Sequence, residues 1–252
     1  MTEEKTRDGE GPHMSLWEHL DELRSRLFKS ALALVVIFVI AFSNGDRIIS
    51  FLALPLKKAL PSDKIALHFL GPMEVFMGTV KIGMLAAFIV GAPIWLYQFW
   101  RFIEPALYQN EKKLVTPFAL ATMIMFIIGC AFGFYGVIPM SLEYLINLGL
   151  KVGDPMITVK DYLDLLIWMV IGCGLVFETP VLLVLLGMIG ILDSAMLAKS
   201  RKYVVIIIFI IAAIVTPSPD PMSQTALAIP MTIMYEASIW ILRVIEKRRL
   251  VS

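Results

Sequence analysis

Glu178 is a first candidate for a functional side chain, because it is the only charged residue between Asp164 and Asp193, within a long apolar stretch. An ionisable group near the middle of a bilayer costs about 3 kcal/mol or more, so it usually faces a polar interior. Glu178 is therefore a candidate functional residue. The alternatives are a structural role, as a protonated glutamate hydrogen-bonded between helices, and a proton or ion site in a secondary transporter of small solutes. Thr179 and Pro180 follow it, and this combination predicts a kink.

A second group of polar side chains lies near the N-terminus, between residues 15 and 27. Leucines recur there every three or four residues, which predicts an amphipathic helix on a membrane surface. The residues on the other side of that helix are Glu18, Glu22, Ser25 and Arg26. They would project toward water or a ligand. Glu22 and Arg26 are also four residues apart, so they could simply form an ion pair.

Other common kinds of chemistry have no matching pattern in the sequence. It contains no H-E-x-x-H or G-x-S-x-G motif and no glycine-rich phosphate loop, which argues against an enzyme and against ATP hydrolysis. His19 and His68 have no neighbouring ligand set, so a metal site is not expected. The two cysteines, Cys130 and Cys173, lie inside apolar stretches and suggest neither a disulfide nor a thiolate metal site.

These residues belong to an unusually apolar chain of 252 residues, with 58% hydrophobic and 17% charged side chains and a mean hydropathy of +0.80. Its apolar blocks approach the roughly 17–25 residues that span a bilayer as a helix. Because alternating strands are not evident, we predict an all-α, polytopic membrane protein. The six predicted transmembrane helices cover about residues 27–42, 75–97, 114–139, 162–188, 203–216 and 223–242 of a membrane domain at 15–242. Residues 1–14 are predicted to be disordered, and residues 243–252 to form a basic tail.

Arginine and lysine are concentrated in alternate loops. With six spans, both termini lie on the side that carries Lys5, Arg7, Arg24, Arg26, Lys29, Arg101, Lys112, Lys113, Lys199, Arg201, Lys202, Arg243, Lys247, Arg248 and Arg249. The opposite side carries only Arg47, Lys57, Lys58, Lys64, Lys151 and Lys160. The positive-inside rule then places both termini in the cytoplasm.

Several features predict local structure within this frame. Gly129 and Gly133 form a small-residue pattern that allows close helix packing. The loop after the first span contains an apolar, interfacial segment broken by Pro55. Span five is short, so local thinning of the bilayer is expected. Lys81 and Glu236 are expected to snorkel or to form ion pairs.

Four motifs occur in a fixed order along the chain: H-L-D-E-L-R-S-R at 19–26, Q-F-W-R-F-I-E-P-A-L-Y-Q-N-E-K-K at 98–113, F-E-T-P at 177–180 and S-Q-T-A-L-A-I-P at 223–230. Together they resemble the TatC family, the large subunit of the twin-arginine protein translocase. The resemblance implies a cup-shaped bundle in a bacterial-type inner membrane, without a cofactor. It implies as partners the single-span subunits TatA and TatB, the signal peptides of folded precursors, membrane lipids and further copies of the chain. Export would be driven by the proton motive force.

For binding of a twin-arginine signal peptide, the resemblance implies Glu22, Arg24, Phe102, Pro105, Leu107 and Glu111. Glu22 and Glu111 look like the carboxylates that receive the two arginines, and the three residues between positions 102 and 107 look like the scaffold of the loop. A guanidinium presents a planar fork that a carboxylate matches with two hydrogen bonds, whereas lysine presents a point charge. Glu111 lies beside two lysines, so it could equally be a solvated loop charge.

For the membrane interior, the resemblance implies that Glu178 and Gln224 contact the transmembrane helix of TatA or TatB. Glu178 could instead perturb the bilayer during transport. The alternative for Gln224 is a surface amide at the start of a helix. The competing function is a proton-coupled secondary transporter that uses Glu178, which internal repeats would favour. No such repeat is evident in the sequence.

Overall fold

The computed structural model describes residues 16–59, 68–106, 115–151, 153, 156–216 and 221–249. The α-helices, in chain order, are α1 (Leu16–Ser43), α2 (Gly45–Leu52), α3 (Leu54–Ala59), α4 (Pro72–Val90), α5 (Ala92–Ile103), α6 (Val115–Phe132), α7 (Ile138–Gly149), α8 (Val159–Val176), α9 (Thr179–Met188), α10 (Ser194–Val215) and α11 (Pro221–Arg249). A 3₁₀ turn, Glu104–Ala106, follows α5, and a π-helical turn, Gly133–Val137, joins α6 to α7. The all-α class predicted from the sequence is confirmed.

Most of these helices are suited to a membrane. Within the described ranges, five helical stretches are long and apolar enough to cross one: Trp17–Ser43, Pro72–Val90, Val115–Gly149, Val159–Met188 and Pro221–Lys247. The chain is therefore a multi-pass membrane protein. α10 is a further apolar helix, but Lys199, Arg201 and Lys202 lie in its first half and shorten its uncharged part. A sixth crossing at α10 stays a prediction.

The predicted span 75–97 falls on two helices, α4 and α5, which meet at Gly91. A side chain at Gly91 would place its Cβ 2.6 Å from the carbonyl oxygen of Ala87 and 2.7 Å from Cδ2 of Leu34, so only glycine fits. Pro93 in the first turn of α5 has no backbone N–H, which also favours a break at this point. α5 consequently packs against both α1 and α6.

The π-helical turn between α6 and α7 has a local cause. Pro139 has no N–H, so it cannot make the regular helical hydrogen bond to the carbonyl of Tyr135. The N–H of Ile138 instead bonds to the carbonyl of Gly133, five residues earlier. The wider turn lets the helix continue past the proline.

α6 and α8 pack closely where glycines face each other. A Cβ at Gly129 would lie 2.7 Å from the carbonyl oxygen of Cys173 and 2.9 Å from the Cα of Gly174. A Cβ at Gly133 would lie 3.0 Å from the Cβ of Cys173, and one at Gly174 would lie 2.7 Å from Sγ of Cys130. The close packing predicted from Gly129 and Gly133 is confirmed.

The loop after α1 forms the two short helices α2 and α3. They separate at Ala53, two residues before the predicted break at Pro55, because proline is well accommodated in the first turn of α3. Leu52 and Leu56 are buried, and the hydroxyl of Tyr162 in α8 donates a hydrogen bond to the carbonyl of Leu52. The segment is therefore packed onto the helix bundle.

α10 and α11 form an antiparallel pair. Near the start of α10, Nε of Arg201 lies 2.7 Å from Oε1 of Glu236, so the predicted pairing of Glu236 is confirmed. Further along α10, the carbonyl of Phe209 accepts a hydrogen bond of 2.9 Å from Nε2 of Gln224, which lies near the start of α11. Because residue numbers rise along one helix as they fall along the other, the two helices run in opposite directions.

Candidate functional site

Glu22 lies on α1, where its side chain is half-buried. Arg26, one turn later, donates to Oε1 of Glu22 from Nη2 at 2.9 Å and from Nε at 3.3 Å. The ion pair considered as the alternative role of Glu22 is therefore present. Both hydrogen bonds use the same oxygen, and in the described part of the chain Oε2 of Glu22 accepts none. One oxygen of this carboxylate is left for a ligand.

Gln98 ties this ion pair to a second helix. Nη1 of Arg26 donates to Oε1 of Gln98 in α5 at 3.1 Å. One turn further along α5, the ring of Phe102 stacks on His19 of α1, with 4.4 Å between centroids and 20° between planes. The first and second motifs therefore lie side by side. Sequence reasoning does not identify Gln98 as a site residue; its signal is a lone amide on an otherwise apolar segment.

The other residues implied for this site fall into two groups. Arg24 is exposed on α1. Phe102 is the second-last residue of α5, and Pro105 lies in the 3₁₀ turn that follows. Both side chains are partly buried. Leu107 and Glu111 lie outside the described residues. Of the residues implied for this site, the structure links Glu22 to α5, through Arg26 and Gln98.

A buried tryptophan fixes the end of α5. Trp100 is fully buried, and its Nε1 donates to Oγ1 of Thr122 in α6 at 2.9 Å. The next residue, Arg101, pairs with Glu104 at 2.5 Å, from Nη1 to Oε2. These two charges of the second motif neutralise each other, whereas Glu22 is joined to α5 through Arg26. Trp100 sets the direction in which the chain leaves α5.

Glu178 lies in the turn between α8, which ends at Val176, and α9, which begins at Thr179. Pro180 is in the first turn of α9. The hydroxyl of Thr179 donates to the carbonyl of Val176 at 2.7 Å, which satisfies an acceptor that the break would otherwise leave open. The kink predicted from Glu-Thr-Pro is confirmed.

The side chain of Glu178 is buried, although it belongs to an apolar segment. Glu178 is 8% exposed and lies near Cys130 of α6. Considering only the residues the structure describes, its Oε1 has no hydrogen-bond partner. The alternative of a glutamate hydrogen-bonded between helices is therefore not supported for this oxygen. A buried polar atom without a partner costs about 1–3 kcal/mol, so a hydrogen-bond donor that reached this oxygen after a local rearrangement would be stabilised here.

Gln224 lies apart from both Glu22 and Glu178. It is partly buried near the start of α11, and its hydrogen bond to Phe209 makes it a link to α10 rather than a free surface amide. Among the hydrogen bonds and ion pairs of the described residues, none joins Gln224, Glu178 and Glu22 to one another. The candidate residues therefore divide into the junction of α1 and α5, the turn between α8 and α9, and the contact between α10 and α11.

Known proteins resemble this chain over most of its length. A family model described as Sec-independent protein translocase protein (TatC) matches residues 18–230. The TatC protein of Aquifex aeolicus is 36% identical over 238 residues, which cover 94% of this chain and 98% of that protein. The TatC protein of Campylobacter jejuni is 37% identical over 226 residues, which cover 89% of this chain and 92% of that protein.

Two crystal structures share the fold. The first is a crystal structure of the twin arginine translocase receptor TatC in DDM. It has a TM-score of 0.77 and 36% sequence identity, and the match covers 89% of this chain and 99% of the crystallised chain. The second is also a crystal structure of the twin arginine translocase receptor TatC. It has a TM-score of 0.75 and 37% sequence identity, and the match covers 90% of this chain and 99% of the crystallised chain. These names describe a component of a protein translocase and not a catalyst. This chain accordingly belongs to the TatC family of Sec-independent protein translocase proteins.

Proposed function

We propose that this chain is the receptor and assembly subunit of a twin-arginine translocation system. Its cytoplasmic face binds the twin-arginine signal peptides of folded precursors. Within the membrane it recruits TatA and TatB, and export is driven by the proton motive force. Membership of a translocase family supports this function over a proton-coupled transporter of small solutes.

The position of Glu22 carries the proposal. Its carboxylate lies between α1 and α5, with one oxygen bonded to Arg26 and the other open. A guanidinium matches a carboxylate in shape and hydrogen bonding better than an ammonium does. The second motif continues from α5 to Glu111, which supplies the second carboxylate of the proposed pair. Two acidic groups would then select an Arg–Arg pair over a Lys–Lys pair.

The proposed orientation puts both termini in the cytoplasm of a bacterial-type cell, with six spans in the inner membrane. The antiparallel pairing of α10 and α11 supports it, because it brings Lys199 and Lys202 to the same end of the bundle as Arg243 and Lys247. A concentration of basic residues at one end is typical of the cytoplasmic side.

Glu178 and Gln224 are proposed to contact the transmembrane helices of TatA or TatB. The unpartnered Oε1 of Glu178 supports this role, because a polar side chain of a partner helix could donate to it. The turn at Phe177 and Glu178 also leaves the backbone locally irregular. Such a site acts in assembly, after the signal peptide has bound.

The test measures binding of a photoreactive Arg–Arg signal peptide to the purified full-length protein. Glu22→Ala and Glu111→Ala should each weaken binding about tenfold, because each removes a charge-assisted hydrogen bond. Asp21→Ala is the matched control, since it removes an exposed carboxylate from the same helix and should leave binding unchanged. Glu178→Gln should also leave peptide binding unchanged but reduce transport in membrane vesicles.

Two results would contradict this function. Equal crosslinking of the peptide to wild type, Glu22→Ala and Glu111→Ala would show that the carboxylates do not receive the arginines. Loss of initial peptide binding in Glu178→Gln would show that recognition and assembly are not separate sites.

A further inference from the structure

A groove follows the contact between α4 and α8, away from all the candidate residues described above. Its larger part has a volume of about 590 Å³ and is lined mainly by apolar side chains, among them Met84, Phe88, Ile167 and Trp168. A smaller part of about 310 Å³ continues toward the starts of both helices. Lys81 borders both parts, so they adjoin along the same two helices and together make up the groove.

The groove is polar at one end and apolar at the other. The polar end contains Glu74, Lys81, Lys160 and Asp164. Beyond Lys81 and Asp164 the lining is apolar as far as Phe88 and Ile171. Each of these stretches is seven residues long, which corresponds to about 10 Å of helix. The apolar part therefore extends inward from a polar rim, as an acyl chain does within one leaflet of a core about 30 Å thick.

At the polar rim, both carboxylates already have partners. Glu74 accepts hydrogen bonds from the backbone N–H of Leu70 at 2.6 Å and of Lys160 at 2.8 Å. Asp164 pairs with Nζ of Lys81. Within the part of the chain that the structure describes, Nζ of Lys160 has neither a hydrogen bond nor an ion pair. The group left to recognise a ligand is thus a cation.

Close helix packing and a hydrogen bond hold the side chains that line the groove in place. α4 and α8 touch beneath it, since a Cβ at Gly78 would lie 3.2 Å from Cδ1 of Leu163. Nε1 of Trp168 donates to the carbonyl of Ile214 in α10 at 3.1 Å, which holds the indole ring in place. The groove therefore exists before a ligand binds, and the contact between α4 and α8 closes its inner side.

We propose that this groove binds one phospholipid, with its phosphate at Lys160 and one acyl chain along Phe88 and Trp168. An apolar transmembrane helix in the same place would cover the ammonium of Lys160 without supplying a counter-charge, which is costly in a membrane. A phospholipid supplies an anionic phosphate directly beside its acyl chains. This charge complementarity favours a lipid over a partner helix, and it is independent of signal-peptide binding.

The affinity test uses native mass spectrometry of the purified full-length protein. It compares phosphatidylethanolamine, phosphatidylglycerol and a diacylglycerol with the same chains and no phosphate. Wild type should retain one molecule of either phospholipid and should not retain the diacylglycerol. Lys160→Gln should weaken retention roughly tenfold, because it removes a charge-assisted contact with phosphate. Lys57→Gln is the control, since it removes an exposed lysine outside the groove.

The location test places a photoreactive amino acid at Met84, which is exposed in the groove, or at Leu120 of α6, which is exposed elsewhere. Crosslinking to phospholipid should be stronger from Met84 and should fall in Lys160→Gln. The proposal is wrong if Lys160→Gln retains phospholipid as well as wild type, or if diacylglycerol binds equally. It is also wrong if Met84 crosslinks to a single-span protein in place of lipid.

Discussion

In the proposed binding site, an incoming guanidinium would meet a carboxylate, that of Glu22, which already binds the guanidinium of Arg26. Arg26 donates two hydrogen bonds to Oε1 of Glu22, and Gln98 holds Arg26 from the other side. A bound Arg–Arg pair adds positive charge next to Arg26, and like charges close together repel. We therefore expect Arg26 to orient Glu22 while lowering the affinity of the site for its ligand.

Arg26→Gln should raise the affinity for an Arg–Arg signal peptide roughly threefold. Removing one partly exposed charge near the ligand is worth about 0.6 kcal/mol, and the gain should shrink as salt rises. Titration of a labelled peptide at two salt concentrations measures both effects. Lys29→Gln is the control, because it removes an exposed charge from α1 that makes no contact with Glu22. Weaker binding in Arg26→Gln would show instead that Arg26 is needed to position Glu22.

Some contacts at this scale follow from local spacing and some do not. The pairing of Glu22 with Arg26 follows from a separation of four residues on a helix. The contact between Arg26 and Gln98 joins residues 72 positions apart, so it depends on how α1 packs against α5. The burial of Glu178 follows from its apolar neighbours, whereas the absence of a hydrogen-bond partner for its Oε1 among the described residues depends on how the helices pack around it.

At the scale of the helices, the contact between α6 and α8 leaves no room for an added methyl group at Gly129. At Gly129, an added Cβ would meet backbone atoms of Cys173 and Gly174 at less than 3.0 Å, and backbone atoms cannot rotate away. At Gly136, further along the same continuous helix, the nearest atom to an added Cβ is Cε2 of Phe132 at 3.5 Å, an ordinary contact. A methyl group would therefore clash at Gly129 and would fit at Gly136.

Gly129→Ala should lower the free energy of unfolding by about 1–3 kcal/mol, because the two helices must move apart to accept the methyl group. Gly136→Ala should leave it unchanged or raise it slightly, since alanine favours the helix. Unfolding of both variants in detergent, followed by circular dichroism, makes the comparison. If Gly129→Ala were as stable as Gly136→Ala, the close contact between α6 and α8 would not limit stability.

A helix break can be predicted from sequence when the residues at the break cause it, and not when it depends on contacts with another helix. The sequence Glu-Thr-Pro predicts the turn between α8 and α9, because proline removes a backbone donor. Pro93 favours the break at Gly91 in the same way, but the close approach of Leu34 from another helix, which excludes a side chain at position 91, depends on tertiary packing. Pro139 resembles a helix end in the sequence, but the π-helical turn before it lets α7 continue to Gly149.

For the molecule as a whole, α10 decides the number of crossings. Composition predicts an all-α membrane protein because apolar blocks dominate the chain, and five stretches in the described ranges fit this directly. The uncharged part of α10, residues 203–215, spans only about 20 Å at 1.5 Å per residue, against a hydrocarbon core of about 30 Å. Length and composition alone therefore leave the sixth crossing open, and a locally thinned bilayer is required for it.

Single cysteines labelled with a membrane-impermeant maleimide test this topology. In spheroplasts, which expose the periplasmic face, Lys151→Cys and Pro221→Cys should react. Lys199→Cys and Lys247→Cys should react only in inside-out vesicles, because the proposed topology has α10 crossing between positions 199 and 221 and keeps the basic residues in the cytoplasm. The two native cysteines are buried, so the unsubstituted chain should remain unlabelled and serves as the control. Reaction of Lys199→Cys and Pro221→Cys from the same side would mean that α10 does not cross, leaving five spans and the two termini on opposite faces.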